Sequence, residues 1–151
     1  MTLRESIDLP PLWLALFAAL ALVQARALPI GGFGAWGDPL GAVLIGAGLL
    51  LMAAALAEFR RHRTTVIPHR SPGALITTGV YRLSRNPIYL ADALILAGLC
   101  LRWDALPALL LGVPAFVAVI TARFIRPEEA RLAAAFGPAY AAWAARTRRW
   151  L

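Results

Sequence analysis

The chain has no lysine, one cysteine and two histidines, and only 15% of its 151 residues are charged, where a soluble domain carries about 25%. The lone Cys100 lies inside an apolar run, which excludes a disulfide framework, a CxxC redox motif and a cysteine-based zinc spacing. His62 and His69 stand in an arginine-rich stretch with few carboxylates nearby. That is poor company for a metal, and no metal site is expected. A small-residue cleavage site is lacking after the first apolar segment, and its leading flank has one arginine against two acids. The segment is therefore expected to stay as a span rather than leave as a signal peptide. What is abundant is apolar: 60% of residues are hydrophobic and the mean hydropathy is +0.69. The bilayer, not water, is the expected solvent. All 15 basic residues are arginine and the net charge is +7. With this apolar content, the charge points to an anionic membrane surface or an anionic ligand and away from nucleic acid.

The apolar pattern predicts an all-α integral membrane protein of about four transmembrane helices in a single domain. The spans are expected at residues 11–28, 40–57, 87–102 and 105–123, with a loop over 58–86 and C-terminal helices over 127–150. The third apolar run, Ile88 to Leu101, carries Asp92 and is short for a span without its flanks. Pro114 should kink the fourth. Phe136-Gly137-Pro138 should divide the tail into two helices, since glycine ends one and proline opens the next. In the second of these, Tyr140, Trp143, Thr147 and Trp150 recur at helical spacing with arginines on the other side. That pattern fits a helix lying at a membrane surface or packed on its own protein. Six arginines fall in the 58–86 loop and six in the tail, against Arg26 and Arg102 in the opposite loops. The positive-inside rule then places the loop and both termini in the cytoplasm. The arginine-only, alanine-rich composition fits a bacterial inner membrane.

Gly32-Phe33-Gly34-Ala35-Trp36-Gly37 matches the letters GxGxxG, but it joins two apolar spans and has no strand before it. A dinucleotide-binding turn needs a βαβ setting, so the match is discarded. The end of the central loop is more specific: Thr77-Thr78-Gly79-Val80-Tyr81-Arg82-Leu83-Ser84-Arg85-Asn86-Pro87-Ile88-Tyr89. It is followed, after a helical hairpin, by Glu128-Glu129, Leu132, Phe136-Gly137, Tyr140 and Arg149. Together with the lead-in Thr64-Thr65-Val66-Ile67-Pro68, this resembles the isoprenylcysteine carboxyl methyltransferase and phospholipid methyltransferase superfamily, over roughly residues 58 to 151. The sequence departs from that pattern at Asn86, where the prenylcysteine enzymes usually have histidine, and at Ala91-Asp92, where relatives often show glycine and an apolar residue.

The resemblance implies a pocket for S-adenosylmethionine at the cytoplasmic interface, formed by the backbone around Gly79, Val80 and Tyr81 and by Arg85, Asn86, Tyr89, Glu128 and Glu129. Arg85, Asp92 and Glu129 are the candidate catalytic residues. The residue chemistry is compatible: arginine offers a planar fork to a carboxylate, and the paired acids can accept from a ribose diol or an ammonium. Other readings exist for the same residues. Asn86-Pro87 can serve only to cap a helix, the boundary arginines can snorkel to lipid phosphates, and Glu128-Glu129 can complement a helix dipole. An acid inside a membrane segment is by default a functional candidate, and Asp92 lies one turn beyond Tyr89. Its alternative role is an ion pair with a boundary arginine such as Arg60 or Arg123, or a hydrogen bond to a neighbouring helix. The expected activity is methyl transfer to a lipid or lipophilic small molecule, with no nucleic-acid partner and no metal. A nicotinamide-dependent membrane reductase and a non-catalytic lipid-binding protein are the alternatives. The arginine distribution predicts that a cysteine placed at Ser71 is labelled only from the cytoplasmic side and one at Gly34 only from outside. Impermeant thiol reagents on intact cells check this.

Overall fold

A computed structural model describes residues 9–63 and 73–151. The lead-in at residues 64–68, His69 and the labelling position Ser71 lie outside the described residues. All described secondary structure is helical. Helix α1 is Pro10–Ala27 and α2 is Gly37–Arg61, with a 3₁₀ turn at Gly34–Trp36 before it. A second 3₁₀ turn, Gly79–Arg82, precedes α3, Pro87–Arg102. Helix α4 covers 108–125 and runs directly into α5, Arg126–Ala144. Three stretches are long and apolar enough to cross a membrane: Pro10–Ala27, Gly34–Arg61 and Ala108–Ala144. The protein is an all-α integral membrane protein.

Helix α3 has 16 residues and rises about 24 Å, less than a full span requires. It is the most enclosed helix: Ala91, Leu96 and Cys100 are sealed from solvent. The apolar surface left outside belongs to its neighbours, such as Leu12, Leu16 and Val23 of α1 and Val43 and Leu50 of α2. That surface is what lipid covers.

Helices α2 and α3 run antiparallel in backbone contact. A Cβ on Gly41 would lie 2.5 Å from the Gly98 carbonyl oxygen, and a Cβ on Gly98 would lie 2.6 Å from the Gly41 carbonyl oxygen. Gly48 approaches the Ala91 oxygen in the same way, at 2.8 Å. Small residues at such spacings are how helices associate where lipid removes the hydrophobic drive. A polar residue in α1 also finds its reason here. Gln24 accepts from the Ala108 N–H at 3.1 Å and donates to the Leu28 carbonyl at 2.8 Å, satisfying backbone groups freed at a helix start and a helix end.

The irregularity expected at Pro114 takes the form of a π turn, Ala108–Gly112, immediately before it. Proline has no N–H to return to the preceding turn. A second π turn, Thr121–Ile125, joins the stretch expected as the fourth span directly to α5. The tail does divide at Gly137, whose φ of 48° and ψ of −121° are non-helical. Its second half ends at Ala144, however, so Thr147 and Trp150 do not continue a helix as expected. Tyr140 and Trp143 are buried with Ala55, Ile76 and Tyr81. This stripe therefore packs on the protein rather than on lipid.

The glycine-rich turn discarded as a dinucleotide site does bind an anion, but one from its own chain. The Gly32 and Phe33 N–H groups donate to Asp104 Oδ1 at 2.9 and 3.0 Å, and these bonds hold the Asp104 carboxyl below the usual carboxylate range. For the α2–α3 seam, Gly98→Leu should destabilise the protein by about 1–3 kcal/mol or more, because the clash is with backbone and no rotamer relieves it. Thermal unfolding in detergent, with Gly46→Leu as the control at a glycine that meets nothing within 4 Å, measures the difference.

Candidate active site

The antiparallel register of α2 and α3 brings the end of α2 beneath the turn that precedes α3. Gly79 has a φ of 57°, and a Cβ there would lie 2.6 Å from Glu58 Oε1. Only glycine fits both the backbone angle and the space. The Thr78 hydroxyl donates a short hydrogen bond to Glu58 Oε2, while Arg61 and His62 approach the same carboxylate at 3.1 and 3.7 Å. From α5, the Trp143 indole N–H donates to the Tyr81 carbonyl at 3.2 Å, and Phe59 meets the Tyr81 ring edge-on. Burial, then the charges of Glu128 and Glu58, push the Tyr81 phenol well above its usual range. It keeps its proton and is a neutral donor.

One residue group further on, the chain's C-terminal segment crosses the start of α3. The Arg85 N–H donates to the Arg148 carbonyl at 2.9 Å. The Asn86 side-chain amide donates to the Arg149 carbonyl at 3.0 Å, and the Ser84 hydroxyl donates to the same oxygen at 3.3 Å. These bonds are what end the tail's helical path. They also overturn the capping role expected of Asn86: its side chain makes no cap bond to α3, and Pro87 alone opens the helix.

The two acids of α5 meet this surface. Arg85 lies 3.2 Å from Glu129 Oε1. Arg149 grips the same carboxylate through Nε at 3.0 Å and Nη2 at 2.7 Å, which keeps its guanidinium protonated even more firmly than usual. Glu128 accepts from the Tyr89 hydroxyl at 3.2 Å. Thus Arg85, Asn86, Tyr89, Glu128 and Glu129, chosen from sequence, converge, with Gly79 to Tyr81 on one flank and residues 148–149 on the other. The Nε of Arg85 is buried and, among the described residues, has no hydrogen-bond partner.

Asp92 is not part of this convergence. It lies one turn deeper in α3, only 5% exposed. Among the described residues it makes neither of the ion pairs considered above. Arg123 instead lies 5.2 Å over the Trp13 ring.

Sequence reasoning missed two participants. Glu58 was visible as the one acid that ends the second apolar run, next to the glycine-bearing motif it supports. Arg149 was visible only as a motif letter, because its contact with Glu129 depends on the tail leaving its helix.

Compared with protein families, residues 38–139 match the phospholipid methyltransferase model. The chain belongs to the phospholipid methyltransferase family. That membership makes methyl transfer to lipid substrates its coarse function. The family match spans α2 to the first part of α5 and leaves out α1 and the crossing segment at 148–149. Comparison with curated proteins and with solved structures gives no match.

Proposed function

We propose that this protein transfers a methyl group from S-adenosylmethionine to a lipophilic acceptor, at the end of the bundle where the Gly79–Tyr81 turn, the start of α3 and Glu128-Glu129 meet. The observation that carries the reading is the buried Arg85 Nε, unpartnered among the described residues, in a chain of this family. A buried guanidinium N–H left unsatisfied is costly, and a planar carboxylate such as the donor's amino-acid end is the group its fork suits. Glu128 and Glu129 offer acceptors to an ammonium or a ribose diol. The backbone of Gly79, Val80 and Tyr81 and the side chains of Asn86 and Tyr89 complete the cradle. When bound, S-adenosylmethionine supplies an electrophilic methyl on a sulfonium, whose C–S bond breaks as the acceptor's bond to that carbon forms. The protein's share is alignment and exclusion of water, for which pre-positioning can supply roughly 7–11 kcal/mol.

Asp92 supports an amine as the acceptor. A carboxylate at membrane depth attracts an ammonium and can take the proton it must lose before attack, whereas an isoprenylcysteine-type carboxylate would meet like charge there. The arginine excess at this end supports a cytoplasmic placement, with the protein in a bacterial inner membrane and both termini on its cytoplasmic side.

Calorimetric titration of the detergent-purified protein with S-adenosylmethionine tests the donor site. Arg85→Ala and Glu129→Ala should each weaken binding by about 1.5–3 kcal/mol, and Arg148→Ala, whose exposed side chain contributes only its backbone here, should bind as wild type. Unchanged affinity in both pocket variants would move the donor elsewhere, and no binding by the wild type would favour the non-catalytic reading. For Asp92→Asn, donor affinity should hold while turnover of a cationic amine falls. Loss of thermal stability with unchanged turnover per folded molecule would instead make Asp92 structural.

A further inference from the structure

A cavity of about 230 Å³ lies between α1, α3 and the start of α4, at the end of the bundle away from the candidate site. Phe17 and Gln24 of α1, Leu96 and Cys100 of α3, and Ala108 and Gly112 of α4 line it. Gln24 engages both ends of its amide with backbone groups, so little hydrogen-bonding capacity is left facing the wall. The cavity exceeds the roughly 150 Å³ engineered void that stays dry and takes benzene. Water would find almost no partner in it, and leaving it empty forfeits packing along its protein wall. Leu20, also on the wall, is 55% exposed, so the cavity opens on the lipid-covered side of α1. Towards Tyr89 the way is closed by Ala93, Phe116, Ile120 and Phe124, all buried in one continuous core. The α1 wall falls outside the family match at residues 38–139.

We propose that this cavity binds the end of one acyl chain of a bilayer phospholipid, which enters past Leu20 and ties α1 to α3 and α4. The site is separate from methyl transfer. Its occupant is hydrocarbon because the wall offers little else, and it comes from the bilayer because the core blocks the route from the candidate site.

The test places the whole protein in phospholipid nanodiscs whose acyl chains carry a diazirine near the methyl end, and maps the photo-crosslinks by mass spectrometry. Crosslinks should concentrate on residues 96–100 and 108–112. They should disappear in Gly112→Phe, where a Cβ meets nothing nearer than Ala108 at 3.8 Å and the ring fills the void. That variant should also lose the gain in melting temperature that added phospholipid gives the wild type in detergent. Ala108→Leu provides a second, smaller filling should the phenylalanine variant fail to fold. Crosslinks spread evenly over Leu12, Leu16, Val43 and Leu50 and unchanged in both variants would overturn the proposal. So would displacement of the label by a long-chain alkylamine at concentrations where phospholipid leaves it in place, which would make the cavity an acceptor site. Donor binding plays no part in these readouts, so they stand or fall apart from the methyl-transfer reading.

Discussion

The backbone contact between α2 and α3 is the constraint from which the site's geometry follows. With Gly41 against Gly98 and Gly48 against Ala91, the antiparallel register is fixed at near-atomic tolerance. Continuing the same register towards the end of α2 puts Glu58 directly under Gly79 and Tyr81. A helix pair held by larger side chains would sit at the usual 8–10 Å axial separation and could adjust its register by small shifts. Here the carbonyl oxygens themselves set the limit, and Glu58 reaches the turn without any long or mobile connection. Rigid support of this kind is what a site depending on alignment needs.

The charge arrangement has the same character. Glu129 is shared by Arg85 and Arg149, and Glu128 holds the Tyr89 hydroxyl. Pairs taken partly out of water gain little net stability, since desolvation offsets the attraction. What they do provide is direction: two forks fixed on one carboxylate hold its plane. Because Arg149 is 39% exposed in its side chain and Arg85 only 16%, the two arginines differ in freedom. Arg149 sits at the rim, where solvent can take over its hydrogen bonds. Arg85 is committed to the interior, with its Nε unpartnered among the described residues.

Much of this was legible in the sequence, and the reasons are specific. Long uncharged runs declared α1 and α2, and Gly137-Pro138 announced the division of the tail. The motif letters from Gly79 to Tyr89 and at Glu128-Glu129 named residues that the fold then brought together. Three things were hidden. Hydropathy shows that α3 is apolar but not that it is enclosed, because lipid and protein interior are equally apolar to that scale. Helical periodicity through Thr147 and Trp150 is real, yet hydrogen bonds from Ser84, Arg85 and Asn86 override it, and such long-range partners leave no local trace. Asn86 before proline reads as a cap for the same reason: the local rule holds until a distant carbonyl offers a better partner.

The bonds that join residues 84–86 to residues 148–149 span more than sixty positions of sequence. During synthesis, α1 to α4 can insert and pair while the later residues are still inside the ribosome. The pocket's far wall does not exist until that segment emerges and folds back. A chain made only as far as α4 would thus hold its packed helices without the wall at residues 148–149, so pairing of the helices and completion of the site are separate events.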